Sequence, residues 1–368
     1  MVIKWHITNK CNMNCKHCYN MDIRDSSEIS EEYIPTIIEQ FKANYVTKIQ
    51  LLGGEPLLAK GLIPVLYECF ENQIAVEITT NGVSLTKEIA TAICLYDVDA
   101  VTFSIDGFAS ESNDFIRGVG SYNKVISGLY QLSNIIEEKR SKTQIYVNTV
   151  IGKASLHEAL DVIQFLSKNT CISGISISMP DIVGNASKQD EMTWPTYTEF
   201  IDFVLGIIII ALNNDKKELL NKIDFGVPPR VKAVLNSKFN LNMPYKSYEY
   251  CMGGSSVFTL DATGVLYPCN LTHGIEWFNK KYSFRYLFEH NNILSKSFDE
   301  IYTSKNYLDF FQFVRANDLK SKEYTNIKIC SNCEVSQYCH TNCPLDNYVA
   351  TSPKICEAAL QHSFLENT

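Results

Sequence analysis

Short apolar or β-branched runs alternate with longer segments of helical periodicity over about the first 215 residues. The short runs predict six β-strands, at residues 2–8, 48–52, 74–79, 100–105, 144–150 and 174–178. The longer segments predict six helices, at residues 31–44, 62–71, 86–95, 122–139, 156–169 and 196–213. This alternation is the pattern of a parallel sheet with crossover helices, so the predicted fold class is α/β with six β/α units.

After Asn213 the regular alternation stops and the chain changes character. A lysine-bearing connector leads into short aromatic-rich segments around a hairpin-like turn at residues 261–264 (DATG). Cysteines then crowd the last hundred residues. Because 368 residues exceed the usual size of one core, the chain is predicted to divide into a first domain at 1–220, a connector at 221–247 and a cysteine-rich domain at 248–368.

The most apolar stretch of the chain is residues 203–212 (FVLGIIIIAL). It has about half the length needed to cross a bilayer, so a buried helix is predicted there. The opening residues 1–8 (MVIKWHIT) lack the basic region and apolar core of a signal peptide. We therefore expect a cytoplasmic protein that does not act at a membrane.

The charge and the cysteine content limit the partners and the ligands that the chain is expected to bind. The formal net charge is −8, with 33 Lys and Arg against 41 Asp and Glu, and this balance argues against a nucleic acid as the main partner. Reducing compartments disfavour stable disulfides, so the 13 cysteines are better explained by metal or cluster ligation.

Chemically suggestive residues follow four of the predicted strands. They are a cysteine array at residues 11–18, Gly-Gly-Glu-Pro at 53–56, Thr-Asn-Gly at 80–82, and Ser104 with Asp-Gly at 106–107. In parallel α/β folds the ligand site forms at the carboxyl ends of the strands. One pocket is therefore predicted to collect all four.

Cys11, Cys15 and Cys18 form a C-x3-C-x2-C array directly after the first predicted strand. Three thiolates in one short loop can ligate three irons of a cubane cluster, which leaves the fourth iron open to a small molecule. A structural zinc knuckle is the alternative interpretation.

The array resembles that of the radical S-adenosylmethionine (radical SAM) superfamily, in which the open iron chelates the cofactor. The resemblance implies a partial (β/α)6 TIM barrel. The GGEP turn is similar to the family motif that binds the amino group of the cofactor, and the strand ending in Ser-Ile-Asp-Gly at 104–107 is similar to the family strand whose serine and downstream arginine contact its ribose or carboxylate. The cofactor contacts implied in this chain are His17, Gly53, Gly54, Glu55, Pro56, Ser104 and Arg117. A satisfied strand-end hydroxyl is the alternative for Ser104, and a solvated surface charge is the alternative for Arg117.

A second set of cysteines has its own spacing. Cys251 and Cys269 are joined as C-x12-G-x4-C, residues 330–343 read C-x2-C-x5-C-x3-C, and Cys356 follows. The set resembles the SPASM extension of radical SAM enzymes, which holds two auxiliary 4Fe-4S clusters, making three clusters in all. Zinc is again the alternative. The resemblance implies an inner cluster at Cys251, Cys269 and Cys343, with its fourth ligand undetermined, and an outer cluster at Cys330, Cys333, Cys339 and Cys356.

The remaining cysteines and histidines fit no motif. Cys69, Cys94 and Cys171 lie in apolar contexts and are predicted to be core thiols. His6 is predicted to be a packed strand residue, and His340, between two predicted ligands, to support them rather than bind the metal.

The resemblance implies reductive cleavage of S-adenosylmethionine to a 5'-deoxyadenosyl radical, followed by oxidation of a peptide. Two peptide reactions are open: thioether or carbon-carbon crosslinking of a ribosomally synthesised natural-product precursor, and formylglycine formation by an anaerobic sulfatase-maturating enzyme. The sulfatase-maturating relatives have an aspartate base after the G-x4-C cysteine, where this chain has Asn270. Since an amide cannot act as that base, crosslinking is favoured, and the proton acceptor itself is not identified.

The expected partners follow from this chemistry. They are a peptide or protein substrate and an electron donor of the flavodoxin or ferredoxin type. No leader-binding module fits before Cys11, so leader recognition falls to a separate protein or to the barrel surface. The alternative from another class is an iron-sulfur electron-transfer protein with no reaction of its own.

Overall fold

A computed structural model describes residues 1–182, 184–243, 252–273, 288–316 and 351–362. The described strands are β1 (Val2–Thr8), β2 (Lys48–Gly53), β3 (Ala75–Thr80), β4 (Ala100–Ser104), β5 (Gln144–Val150), β6 (Ile172–Ser178), β7 (Ile223–Phe225), β8 (Val257–Leu260) and β9 (Leu266–Tyr267). The described α-helices are α1 (Ile34–Ala43), α2 (Leu62–Glu71), α3 (Lys87–Leu95), α4 (Ser110–Arg117), α5 (Ser121–Lys139), α6 (Ala159–Lys168), α7 (Tyr197–Asn213), α8 (Pro229–Phe239), α9 (Phe298–Tyr302), α10 (Lys305–Ala316) and α11 (Thr351–Leu360).

These strands form one sheet in the order β7-β6-β5-β4-β3-β2-β1-β8-β9. Strands β1 to β7 are parallel to their neighbours, β8 joins the far side of β1 in parallel, and β9 turns back antiparallel to β8. The parallel part agrees with the predicted α/β class, and its six predicted strands are all present. Their carboxyl ends meet at one edge of the sheet, which is where the predicted site residues follow the strands.

Three elements inside the barrel region and connector were not predicted. Strand β7 and helix α8 lie in the predicted connector, and helix α4 lies just after β4. A three-residue strand is too short to display alternation, and α4 is largely polar, so neither gives a periodic apolar signal. The division into domains at 220 and 248 stays a prediction. Strand β7 of the predicted connector and strand β8 of the predicted cysteine-rich domain both join the sheet of the first domain.

The two faces of the strands differ, because side chains alternate along a strand. On β1, Ile3, Trp5 and Ile7 are buried on the face covered by helices, where the Trp5 ring packs edge-to-face on Phe41 of α1 with centroids 6.2 Å apart. Such an aromatic pair adds about 0.5–1.5 kcal/mol beyond its area burial. The other face carries polar residues such as Lys4 and therefore lines the inside of the partial barrel.

Helix α7 contains the apolar stretch at 203–212. By length and composition alone, Glu191–Asn213 could cross a membrane, and half of its apolar window is buried inside the fold. The helix begins with a capping box between Thr196 and Glu199. It packs against α6 and α11, so it has the predicted place of a buried helix.

Candidate functional site

The cysteine array lies in the loop that follows β1. Cys15 is buried, Cys11 and Cys18 are partly exposed, and all three are free thiols. Two guanidinium groups face their sulfurs: Arg24 Nη2 lies 3.3 Å from Cys18 Sγ, and Arg117 Nη1 lies 3.9 Å from Cys15 Sγ. Cations at these positions stabilise thiolates, which are the form of cysteine that binds metal.

Burial works against the thiolate form in the absence of a metal. It raises the pKa of Cys15 to about 11 although Arg117 opposes the shift, and it also raises the pKa of Cys11. Among the described residues, no three histidine, cysteine or acidic side chains are grouped as ligands of one metal ion. The donor set of three thiols and two facing cations fits a larger anionic cluster better than a mononuclear zinc.

The GGEP turn packs directly on the cysteine loop. A Cβ on Gly53 would lie 2.3 Å from the carbonyl oxygen of Thr8, and one on Gly54 would lie 2.2 Å from that of Lys10. The Gly54 N–H donates to Thr8 O at 2.7 Å, and the Glu55 N–H donates to Lys10 O at 2.8 Å. The glycines are therefore needed for close approach to the loop that carries the cysteines.

Glu55 ties this turn to the Thr-Asn-Gly turn after β3. Its Oε1 accepts from the Leu57 N–H at 3.0 Å and from the Thr80 hydroxyl at 2.6 Å, and its Oε2 accepts from the Asn81 N–H at 2.7 Å. Burial raises the pKa of Glu55, and these three donors oppose the rise. Asn81 in turn donates to Asn12 Oδ1 at 2.8 Å, inside the cysteine array.

Asp106 organises the other side of the site, a role that the sequence did not reveal. Its Oδ2 lies 2.6 Å from Arg117 Nε and 2.6 Å from His17 Nε2, and its Oδ1 accepts from the Val150 N–H at 2.8 Å. Burial alone would raise the pKa of Asp106, but Arg117 and His17 outweigh burial and lower this pKa to about 2. Asp106 is thus an anion that holds two predicted cofactor contacts.

Ser104 and Arg117 are both largely withdrawn from solvent. Arg117 is 7% exposed and paired with Asp106, so it is not a solvated surface charge. Ser104 is 9% exposed at the end of β4, and its hydroxyl has no hydrogen-bond partner in the described part of the chain. The Ser104 hydroxyl is therefore free to bind a ligand at this edge of the sheet.

The segment after β6 also contacts the cysteine loop and was missed from the sequence. The Asn185 N–H donates to Cys18 O at 3.0 Å, and its side-chain amide donates to Cys15 O at 3.0 Å. Gly184 has φ of +51°, and a Cβ there would lie 2.7 Å from Cys18 O. The Gly-Asn pair gives no signal on its own, because its partners lie about 170 residues earlier in the chain.

Two predicted auxiliary ligands fall within the described residues. Cys356 is buried on α11, and Cys269 is partly exposed after β9. Next to Cys269, Asn270 Oδ1 lies 2.8 Å from His6 Nε2 and its amide donates to the Tyr19 hydroxyl at 3.2 Å. The segment after Cys18 and the segment after Cys269 are therefore joined through one amide. Outside the described residues lie Cys251, Cys330, Cys333, Cys339, Cys343 and His340.

The cysteines without a motif lie away from this edge. Cys69 and Cys94 are buried, as predicted for core thiols, and Cys171 is only partly buried. Buried His6 has its pKa lowered to about 3 by burial first and by His273 second. A cavity of about 810 Å³, whose lining includes Asp99 and Gln144, opens at the opposite edge of the sheet, and none of the predicted site residues lines it.

Comparison with known families agrees with this geometry. The family model of the radical SAM superfamily matches residues 5–166, and that of the SPASM iron-sulfur cluster-binding domain matches residues 251–334. The chain therefore carries a radical SAM domain followed by a SPASM domain, in the order that the cysteine spacings predict.

Among curated proteins, mycofactocin maturase MftC of Mycobacterium tuberculosis (strain ATCC 25618 / H37Rv) is 32% identical over 132 residues, which are 36% of this chain and 34% of the maturase. The chain thus spans about a third of the length of that relative. A longer match is the AdoMet-dependent heme synthase of Methanosarcina barkeri (strain Fusaro / DSM 804), 21% identical over 92% of this chain and 93% of the relative.

Among solved structures, Streptococcus suis SuiB bound to precursor peptide SuiA has a TM-score of 0.69 at 16% identity and covers 97% of this chain and 75% of its own. Native anSMEcpe with bound AdoMet has a TM-score of 0.67 at 13% identity and covers 98% of this chain and 96% of its own. At these identities the likeness shows a shared fold, and it confirms the predicted partial barrel with a C-terminal SPASM domain.

Proposed function

We propose that this protein is a radical SAM enzyme that oxidatively modifies a peptide, by thioether or carbon-carbon crosslinking of a ribosomally synthesised precursor. The observation that carries the proposal is the convergence of the cysteine loop, the GGEP turn and the Ser104–Arg117 region at one edge of the sheet. An electron-transfer protein would have no use for the last two elements.

In this proposal Cys11, Cys15 and Cys18 would hold a 4Fe-4S cluster that leaves one iron for S-adenosylmethionine. When bound, this pair would supply the 5'-deoxyadenosyl radical needed to remove a hydrogen atom from the substrate. The protein's part is orientation and exclusion of side reactions.

The polar contacts of Asp106 and Glu55 would position the groups that bind the cofactor. Asp106 binds Arg117 through Nε. Arg117 Nη1, which faces Cys15, remains able to pair with the carboxylate of the cofactor. The Asp106 carboxylate also holds His17, beside the position proposed for the adenine. Glu55, held by three donors, ties the GGEP turn to the turn after β3 and keeps lone pairs for the amino group of the cofactor.

A peptide substrate is supported by the names of two similar proteins, the mycofactocin maturases and SuiB with its precursor peptide. Crosslinking is favoured over formylglycine formation because Asn270 stands where a base is required, and its amide is already engaged by His6 and Tyr19. The two auxiliary clusters would accept the electron that an oxidised product gives up. We also propose that a flavodoxin or ferredoxin supplies electrons, that a separate protein binds the leader peptide, and that the enzyme is cytoplasmic.

The first experiment measures cofactor cleavage. Protein purified and reconstituted without oxygen should contain iron and sulfide for three clusters, and should form 5'-deoxyadenosine from S-adenosylmethionine and a reductant. The Cys18→Ala variant should form none. Two zinc ions per chain with negligible iron would refute the proposal, as would intact clusters without 5'-deoxyadenosine.

The second experiment identifies the product. Short precursor peptides encoded beside the gene should lose two hydrogen atoms per crosslink, seen by mass spectrometry, with fragmentation blocked across the linked residues. A product that reacts with an aldehyde probe would instead support formylglycine formation. Turnover of an iron porphyrin in place of peptides would contradict the peptide assignment and favour the chemistry named for the heme synthase relative.

A further inference from the structure

The interior face of β1 points at the segment that carries Cys269. Lys4 and His6 are two residues apart and therefore lie on the same face of the strand, opposite Trp5, which packs on α1. His6 Nε2 lies 2.8 Å from Asn270 Oδ1, so this face is in contact with the residue that follows Cys269. Lys4 is the next interior position along the strand.

The ammonium of Lys4 is close enough to Cys269 for their charges to interact. Burial lowers the pKa of Lys4, and a negative charge on Cys269 opposes that shift. The charge of Lys4 also disfavours protonation of His6. Lys4 is therefore a partly buried cation beside both His6 and Cys269.

Two other partly buried lysines have a carboxylate partner, and Lys4 lacks one among the described residues. Lys48 pairs with Glu77, and Lys232 pairs with Asp224 at 2.8 Å. The neighbours of Lys4 across the sheet are neutral Gln50 and Thr259, and the Gln50 amide donates to Glu77.

Within the described part of the chain, no carboxylate lies at ion-pair distance from Lys4. An unpaired ammonium withdrawn from water is costly unless an opposite charge lies near it. A neutral Cys269 thiol cannot supply that charge, whereas a thiolate within an iron-sulfur cluster can.

We propose that the Lys4 ammonium is the protein's counter-charge for the iron-sulfur cluster held through Cys269, and that it raises the reduction potential of this cluster. The inference rests on the auxiliary cluster of the proposed function. The physical reason is that reduction adds one negative charge to the cluster, and a nearby cation stabilises the reduced form more than the oxidised form. Lys4 is a positioning charge, and it contacts neither the cofactor nor the reacting atoms.

The test is an EPR-monitored redox titration of the full-length reconstituted protein and its Lys4→Met, Lys4→Arg and Lys48→Met variants. Lys4→Met should make reduction of one auxiliary cluster about tenfold less favourable, which is about 59 mV for a one-electron couple. Lys4→Arg keeps the charge and should leave the potential unchanged. Lys48→Met removes a lysine already paired with Glu77 and should also leave it unchanged.

Assignment of the affected signal uses two cysteine variants. Cys269→Ala should remove the signal that moves in Lys4→Met, and Cys356→Ala should leave it in place. Clusters that assemble in Lys4→Met with an unshifted potential would overturn the role of Lys4 while the proposed function stands. A full-length protein without auxiliary clusters would overturn both. If Lys4→Met fails to fold, as judged by circular dichroism, Lys4→Gln provides the same loss of charge with a polar side chain.

Discussion

At the scale of single residues, Asp106 is the group on which the cofactor side of the site depends. It is fully buried and its carboxylate holds Arg117 and His17 together with a backbone N–H of β5. A buried charge that loses its partner is strongly destabilised, since neither water nor an opposite charge remains to solvate it. The consequence is that Asp106 should matter for folding as well as for cofactor binding.

Replacing Asp106 by Asn should lower the free energy of unfolding by about 3–5 kcal/mol, because Arg117 stays buried without its anion. Chemical denaturation measures this change. The matched control is Asp22→Asn, which removes an exposed carboxylate paired with Lys188 at 2.7 Å and should cost less than about 1 kcal/mol. Equal effects of the two substitutions would contradict the role given to Asp106.

The same residue predicts a pH dependence. Its folded-state pKa of about 2 lies below the ordinary value of 3.8, so its stabilising contribution is complete above the unfolded-state pKa and is lost as the pH falls through the folded-state pKa. The difference in unfolding free energy between wild type and Asp106→Asn should shrink as the pH falls below about 4. Denaturation curves at several pH values test this, and a difference that grows in acid would be the wrong sign.

Little of this ion-pair arrangement could be read from the sequence. Asp106 and His17 are 89 positions apart, and nothing in either local pattern marks the pairing. By contrast the three cysteines, the GGEP turn and Ser104 were found because short spacings and strand ends are visible along the chain. Local chemistry was predictable, and contacts between distant loops were not.

At the scale of elements, the strand periodicity gave β1 and β5 with their observed bounds, and the other four barrel strands within two residues. Helix α1 is preceded by a short 3-10 turn at Glu31–Tyr33, so its predicted start was too early. The missing elements, α4, α8 and β7, are short or polar and form because the surrounding fold places them. Packing decides such elements, and propensity does not.

The contact between the GGEP turn and the cysteine loop makes an element-scale prediction. Gly54→Ala would place a Cβ 2.2 Å from Lys10 O, so the two loops must separate, and the reconstituted protein should lose iron from the first cluster and melt at lower temperature. The control is Gly206→Ala in α7, where a Cβ would lie at an ordinary 3.4 Å from Ala159 Cβ. That substitution should retain iron and gain up to about 1 kcal/mol. Full iron content in Gly54→Ala would show that the close contact is dispensable.

At the scale of the whole molecule, the first cysteine array and Cys269 follow different strands. The first follows β1, and Cys269 follows β9, two strands away in the sheet. The sites touch through Asn270, which reaches both His6 and Tyr19. Because the two sites are carried by segments that follow different strands, cofactor cleavage and substrate oxidation should be separable by mutation.

Cys269→Ala is expected to keep 5'-deoxyadenosine formation within about threefold of wild type and to lose modified peptide. The physical reason is that the substitution removes a ligand of the auxiliary site and leaves the loop at residues 11–18 intact. Quantification of both products by liquid chromatography and mass spectrometry tests this. Parallel loss of both products would indicate that the sites do not function independently.

Strand β1 lies between β2 and β8, with Trp5 and its neighbours against the helices and Lys4 and His6 on the inner face. A single-residue insertion within this strand would reverse both faces at once. The indole would then face the polar interior, and the cation and the imidazole would face the apolar layer. Variants with an insertion in β1 should therefore fail to fold and be absent from a library selected for folded protein. Variants with paired substitutions that preserve the alternation should be recovered.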